Sequence, residues 1–408
     1  MAGGGGDLNS AQKRVFILTY IVYASYYLAR LNLSASLPSI SEDLQYSRFT
    51  LGLIGGAFSL SYAIGQFING QLVDRFGAKR IALLGLILSA AMNILFGYAG
   101  LLIFFLVVWS INGYAQSTGW PSVVKIISNW FKSSIGTVGG AFGSCFLVGN
   151  MIAWPLLGYI ASNYGWRSAF LAPPFLLILM AILFCLCVDE KPEGDGESTT
   201  ADLLQVKPGF KQILLSRNLI VISLAYTLLQ FVRSGFTLWA PSYLFEKYRL
   251  SLDLSGYIAA LIPIGGIVGS TIAGWVSDRT RFGRTCIMFV LILFLSLTLF
   301  TFYHAASYSI QLGIILLFLS GLTLYGPHVL MATVIPMEHE DRYGAASVAG
   351  FIDGVGYIGL TFADPFIGWI VDAHGWNGAV SFWLISSLAA AFLIGILSWN
   401  NLKRGKSA

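Results

Sequence analysis

The chain has 408 residues, of which 56 % are hydrophobic and 11 % are charged. Soluble domains carry about 25 % charged residues, so the length does not stand for two or three soluble domains. Apolar stretches of about 20 residues recur from end to end, the mark of a polytopic helical membrane protein. The net charge of +5 has a local origin described below and does not point to nucleic acid. Cys145, Cys185, Cys187 and Cys286 lie in or beside apolar segments with no metal-ligand or disulfide spacing, so they read as small core residues.

Before Val15 there is no apolar run. No cleavable signal is therefore expected, and the first helix is expected to direct insertion. Twelve spans are predicted, at 15–38, 51–73, 80–99, 101–128, 136–162, 168–188, 217–244, 253–277, 285–304, 308–336, 344–372 and 379–400. A long hydrophilic stretch, 189–216, divides them six and six. The predicted organisation is a tail (1–14), a six-helix bundle (15–188), a linker (189–216), a second six-helix bundle (217–400) and a tail (401–408). An even number of spans puts both termini on one side. That side holds Lys13, Arg14, Arg75, Lys79, Arg80, Lys132, the linker, Arg279, Arg281, Arg284, Arg342 and the basic tail. The other side has Arg48, Arg167, Lys247 and Arg249. The asymmetry predicts cytoplasmic termini and accounts for the basic balance.

The first span carries an arginine well inside it, in the run Tyr23 to Pro38. At about 1.5 Å per residue, Arg30 sits roughly 12 Å below Pro38. A cation at hydrocarbon depth costs at least about 2.5 kcal/mol and normally faces a cavity or a partner. Tyr23, Tyr27 and Arg30 fall at i, i+4 and i+7, one helical face. Half a chain later, Arg233 is followed by Pro241-Ser242 at the offset that separates Arg30 from Pro38-Ser39.

Other landmarks repeat in the same order. Gly70 to Arg80 (GQLVDRFGAKR) answers Gly274 to Arg284 (GWVSDRTRFGR), with Asp74 and Asp278 in register. Pro155, Gly158, Gly165 and Trp166 return as Pro365, Gly368, Gly375 and Trp376, and Gly119-Trp120-Pro121 returns as Tyr325-Gly326-Pro327. Parallel repeats of six spans imply a pseudo-two-fold axis along the membrane normal, with a site between the halves near the midplane. The expected fold is an all-α membrane protein of twelve transmembrane helices in two pseudo-symmetric six-helix bundles, with the two arginines meeting across a central cavity.

Over its whole length the chain resembles the major facilitator superfamily. Gly70, Asp74, Arg75 and Gly77 match that family's signature loop, and Asp278 and Arg279 stand at its repeat. The resemblance implies that these residues brace the helix ends and gate the change of state.

Few ionisable residues lie within spans: Arg30, Arg233, Asp353, His328 and, nearer span ends, Asp364 and Lys125. Arginine is always charged and presents a planar fork suited to phosphate or carboxylate, so two buried arginines point to an anionic ligand. The bland alternative is that a protein carboxylate, Asp353 above all, neutralises them. Tyr62 and Gln66 share a face of the second span, as Asp353 and Tyr357 share one of the eleventh. Tyr23, Tyr27, Tyr62, Tyr325 and Tyr357 fall at comparable depths.

These residues resemble the organophosphate:phosphate antiporter family, in which an arginine on the first span and one on the seventh clamp the phosphate. The resemblance assigns those roles to Arg30 and Arg233. It assigns the pocket to Tyr23, Tyr27, Tyr62, Trp120, Tyr325 and Tyr357, and implies exchange of an organic phosphate for inorganic phosphate. This chain has Gln66 where the family commonly has a lysine, Phe146 where glycerol-3-phosphate members have a histidine, and Asp353 where a small residue is usual. Such changes favour a singly charged, zwitterionic or less polar anion, or a proton carried by Asp353. RLNLSASLP and GQLVDRFGAKR also resemble the anion:cation symporters, which leaves a proton-coupled symporter of a sugar acid or other carboxylate as the alternative. A transporter-like sensor is a third reading.

Asp353 has three open roles: ion-pair partner of an arginine, proton relay, or contact for a cationic part of the ligand. His328 is a possible partner in the relay. No catalytic constellation is visible, so no enzyme and no cofactor are expected. The expected partners are a small anionic substrate, inorganic phosphate or a proton as coupling partner, and the lipid bilayer, with the protein acting as a monomer in a bacterial-type inner membrane.

Overall fold

In the computed structural model the described residues are 9–131, 142–192, 213–279, 283–305, 309–339 and 345–405. They are helical, with no strand among them. Nine helical segments among them are long and apolar enough to cross a membrane by length and composition. The first predicted span is missing from the nine because it is broken, into Ser10–Tyr26 and Leu28–Leu44. The fourth is likewise split, into Leu102–Ser117 and Gly119–Trp130. The last of the nine, Gly350–Asn400, covers two predicted spans, which turn at Gly375, where φ is +68°. Counting the broken spans and dividing the last is consistent with twelve.

The breaks have identifiable causes. Pro121 lacks an N–H and its ring clashes with the carbonyl four residues back, so the fourth span stops at Ser117 and restarts at Gly119. Pro241 acts the same way on Thr237, and a π-helical segment, Gly235–Trp239, follows Arg233 there. A second π segment, Leu330–Val334, follows Pro327 and His328 in the tenth span. The first span breaks at Tyr27 without a proline, so Tyr23 and Arg30 do not share one continuous helical face.

The repeat is visible in the backbone. The first and seventh spans each end on a left-handed residue, Gln45 (φ 54°) and Arg249 (φ 53°). The turns after the fifth and eleventh spans use Gly165 (φ 82°) and Gly375 (φ 68°). In each half a tryptophan after that turn donates its indole N–H to an acid at the end of the first span of its bundle. Trp166 reaches Asp43 (3.0 Å) and Trp376 reaches Glu246 (2.9 Å). Hydrogen bonds from Arg167, then Trp166, hold the exposed Asp43 carboxyl below the usual carboxylate range.

The outside is apolar, with Phe175, Leu186, Phe362 and Phe392 exposed. Amides that would be costly in lipid are inside: Asn32, Asn93, Asn112, Gln116, Asn150 and Gln230 are fully buried. Of the cysteines only Cys145 is a core residue. Cys187 and Cys286 are half-buried, and Cys185 is exposed on the apolar outside, against expectation.

The halves are sealed together on the face away from the termini, here called the distal face. Arg48, at the start of the second span, reaches Glu246 at the end of the seventh (2.7 Å) and Asp372 at the end of the eleventh (3.2 Å). Asp372 also accepts from the backbone N–H groups of Arg48 (3.2 Å) and Phe49 (2.9 Å), which caps the second span from the other half. Close packing supports the seal. A Cβ on Gly52 would come within 2.4 Å of the Asp364 carbonyl, and one on Gly256 within 2.3 Å of the Trp154 carbonyl. Small residues let helix backbones approach in this way.

The Arg48 pairs are partly exposed, so each contributes about 1 kcal/mol or less. The Arg48→Ala variant is expected to shift the population severalfold towards a distal-open form. Spin-label distances across the distal face would show it, and Arg48→Glu with Glu246→Arg is expected to restore the seal.

Candidate functional site

Arg30 begins one turn after the break at Tyr27, where the first span is held by its neighbours. The Ala29 carbonyl accepts from three amides: Asn93 (3.2 Å), Asn112 (3.1 Å) and Gln116 (2.9 Å). Gln116 turns its oxygen to Arg30, whose Nε–H donates to it at 2.8 Å. The guanidinium lies over three rings, Tyr62 (4.7 Å), Tyr27 (4.8 Å) and Phe58 (5.1 Å). Such cation–π contacts are worth about 0.5–2 kcal/mol each, so the charge is supported without an acid.

Arg233 is 7 % exposed and is held differently. Its Nη1 donates to Gln230, one turn earlier, at 2.9 Å, while its Nε has no partner. Among the described residues no carboxylate oxygen lies within 4.0 Å of either guanidinium. A buried guanidinium with an unused N–H is a costly arrangement that an incoming anion would relieve.

Both arginines line one cavity between the halves, with Ser34, Gly55, Phe58, Ser59, Trp109, Ser234, Thr237, Leu238, Tyr357, Leu360 and Asp364 among its walls. It extends from the arginines towards the distal seal. Of the expected site residues, only Arg30, Arg233 and Tyr357 line this cavity. Tyr62 stacks on Tyr357 across the halves at 4.7 Å, and so closes the space beside Arg30. Phe146 packs against Tyr27 of its own half (6.4 Å) and, across the halves, against Tyr325 (6.0 Å) and His328 (6.4 Å). Tyr23 and Trp120 pair with each other at 5.1 Å. The Nε2 of Gln66 is buried and has no partner.

Asp353 does not pair with an arginine in this structure. Its carboxylate accepts from Tyr226 at 2.8 Å, and the same hydroxyl lies 3.0 Å from His328 Nε2. A second acid on the same helix, Asp364, is 5 % exposed and is bound by Ser234 of its own half and by Ser59 of the other half (3.4 Å).

Several of these residues were not singled out from the sequence. Ser34 and Thr237 stand four residues after Arg30 and Arg233, one turn further into the cavity, a spacing that could have marked them. Asn112 and Gln116, and Ser89 and Asn93, form i, i+4 polar pairs inside apolar spans. Tyr226 carried no signal beyond its residue type.

The expected gating residues are placed only in part. Gly77 bridges the second and third spans at φ +93°. The carboxylate of Glu190 caps the start of the third span there, accepting from the N–H groups of Ala78 (2.9 Å) and Lys79 (3.3 Å). The negative group suits a helix N-terminus. Arg75 and Arg279 lie exposed over Phe76 and Trp275, and a Cβ on Gly70 would meet nothing. The side chains of Asp74 and Asp278 lie outside the described ones.

A hydrogen bond to a charged group contributes about 1.5–3 kcal/mol. Gln116→Leu, which leaves the Arg30 Nε–H without its acceptor, is therefore expected to destabilise the purified protein by about that amount, as denaturant unfolding would show.

Comparison with known proteins shows the family. Residues 19–363 match the model of the Major Facilitator Superfamily. The chain is 31 % identical to the glycerol-3-phosphate transporter of Bacillus subtilis, over 98 % of this chain and 96 % of that protein. It is 26 % identical to a probable hexose phosphate transport protein of Chlamydia pneumoniae, over 95 % and 91 %. A bacterial homologue of the human lysosomal transporter Spinster, crystallised inward-facing and unoccupied, shares the fold with a TM-score of 0.75. The two are 17 % identical over 95 % and 96 % of the chains. The chain belongs to the major facilitator superfamily and, within it, to the organophosphate:phosphate antiporter family.

Proposed function

We propose that the protein is a secondary active transporter that exchanges an organophosphate for inorganic phosphate, with Arg30 and Arg233 clamping the anionic group. The observation that carries this reading is the pair of guanidiniums on one cavity between the halves, neither with a carboxylate among the described residues within 4.0 Å. The named activities of the relatives, glycerol-3-phosphate and hexose phosphate transport, support the substrate class.

In alternating access the two halves rock about the fixed site. The distal seal at Arg48, Gly52 and Gly256 closes one entrance. The aromatic contacts of Tyr62 with Tyr357 and of Phe146 with Tyr325 form the hinge level beside the arginines. An anion bridging both guanidiniums would draw the first and seventh spans together, which couples binding to the movement. The lysine and arginine bias supports cytoplasmic termini, and the protein is taken as a monomer in a bacterial-type inner membrane.

A second reading, proton-coupled symport of an organic anion, has one observation in its favour. Asp353 is half-buried and free of any arginine, which leaves its carboxylate able to carry a proton.

Uptake into proteoliposomes loaded with inorganic phosphate, or left empty, separates the two. Exchange predicts uptake of labelled glycerol-3-phosphate only with phosphate inside; symport predicts uptake into empty vesicles driven by a pH gradient. Under either reading Arg30→Ala and Arg233→Ala are expected to cut uptake at least about tenfold. Lysine at either position should restore little, because it offers a point charge in place of a fork. Full transport by an alanine variant would remove the clamp.

A further inference from the structure

We propose that Asp353, Tyr226 and His328 hold one proton in common, as a unit that sets the charge of the anion cavity, with Tyr226 the residue that joins the other two. The consequence for transport rests on the anion reading above; the unit itself rests on its own geometry.

The three residues come from three helices: Tyr226 from the seventh span, His328 from the tenth and Asp353 from the eleventh. Tyr226 is fully buried and His328 is 7 % exposed, while Asp353 is half-buried. The tyrosine hydroxyl lies 2.8 Å from Asp353 Oδ1 and 3.0 Å from His328 Nε2. A hydroxyl has one proton to give. When Asp353 is ionised, Tyr226 donates to it, and Nε2 of His328 must carry a proton and donate to the tyrosine oxygen. When Asp353 is protonated and donates to Tyr226, the tyrosine proton is released to a bare Nε2. The protonation of the acid and of the imidazole are thus linked through one oxygen.

The transfer balances without a co-reactant. The Nε2–H bond breaks as that proton joins the Tyr226 oxygen, and the original tyrosine O–H bond breaks as its proton joins Asp353 Oδ1. The transfer starts from the imidazolium, which gives up its Nε2 proton and keeps the one on Nδ1; aspartate gains one, and tyrosine ends as it began. The other imidazole nitrogen, Nδ1, has no partner, so no contact elsewhere fixes the tautomer.

The charged group facing all three residues is Arg233, on the same helix as Tyr226. Arg30 of the first span also acts on Asp353. The remaining titratable neighbours are tyrosines: Tyr62 of the second span, Tyr325 of the tenth, 5.7 Å from His328 between rings, and Tyr357 of the eleventh. Phe146 of the fifth span covers the imidazole and carries no charge.

Taking up a proton therefore raises the charge of the space around the arginines by one. Phosphate monoesters lose their second proton near pH 6, so mono- and dianions coexist close to neutral pH. The protonated unit suits the dianion and the deprotonated unit the monoanion, because a buried site binds best when charge is balanced.

The chain has four histidines, His304, His328, His339 and His374, so nitrogen NMR of the purified full-length protein can follow His328, assigned with His328→Gln. The ring nitrogens are expected to change with pH in the wild type. Asp353→Asn and Tyr226→Phe are each expected to move that midpoint by more than about 1 pH unit, as strongly interacting sites do. Adding Asp353→Asn to Tyr226→Phe should then move it little further. A His328 that does not change with pH overturns the proposal. So does a midpoint unmoved by Tyr226→Phe, or an Asp353→Asn effect just as large without the tyrosine hydroxyl. Should Tyr226→Phe not fold, Asp353→Asn decides alone, and an unmoved midpoint overturns the unit. Phosphate exchange in proteoliposomes reads the transport function separately: no exchange with a coupled titration removes the transport reading and leaves the unit standing.

Discussion

Two guanidinium groups at the seam of a membrane protein, with no carboxylate among the described residues within 4.0 Å, set the terms for the rest of this structure. Each must be held by something other than an opposite charge. Arg30 is held by the faces of Tyr27, Phe58 and Tyr62 and by one glutamine oxygen. Among the described residues Arg233 is held by Gln230, and its Nε–H has no partner. The difference leaves one arginine fixed on a platform and the other short of partners, an arrangement that an anion completes.

Positioning Arg30 requires a rigid support, and three buried amides provide it by converging on the Ala29 carbonyl. Ala29 lies in the first turn of the helix that restarts after Tyr27, so the three amides fix the helix at the point where it carries Arg30. The breaks elsewhere serve the same site. Prolines at 121, 241 and 336 disturb the fourth, seventh and tenth spans, the last just after His328. Irregular backbone at membrane depth is tolerated where it lines protein or a cavity, and these segments lie against the site.

The eleventh span carries the two acids, Asp353 and Asp364, three turns apart on the helix that faces both the arginines and the other half. They sit in different settings. Asp364 is closed in by serines from both halves next to the distal seal. Asp353 is half-buried and tied through Tyr226 to an imidazole. The helix that closes one entrance to the cavity thus also carries the groups that change its charge, which puts conformation and protonation on one element.

Much of this was legible in the sequence. Apolar runs of about 20 residues mark the spans because hydrocarbon admits only helices there. The order Arg30–Pro38, Gly70–Arg80 and Pro155–Trp166, repeated 203 to 210 positions on, marks the two halves because each folds by the same local rules. Buried arginine identified the chemistry because it cannot shed its charge. The partners of those arginines were not legible. Whether Asp353 would neutralise Arg233 or turn to Tyr226 depends on which side chains three separate helices bring within 3 Å. The cavity wall of Ser34, Ser59, Thr237 and Asp364, and the seal from Arg48 to Glu246 and Asp372, join residues some 200 to 320 positions apart. Hydropathy and repetition along the chain establish which residues lie inside the membrane and that they come in two copies. Which of them meet is a matter of how the helices pack, because hydrogen bonds act over a few ångströms and the spacing along the chain does not set that distance between helices.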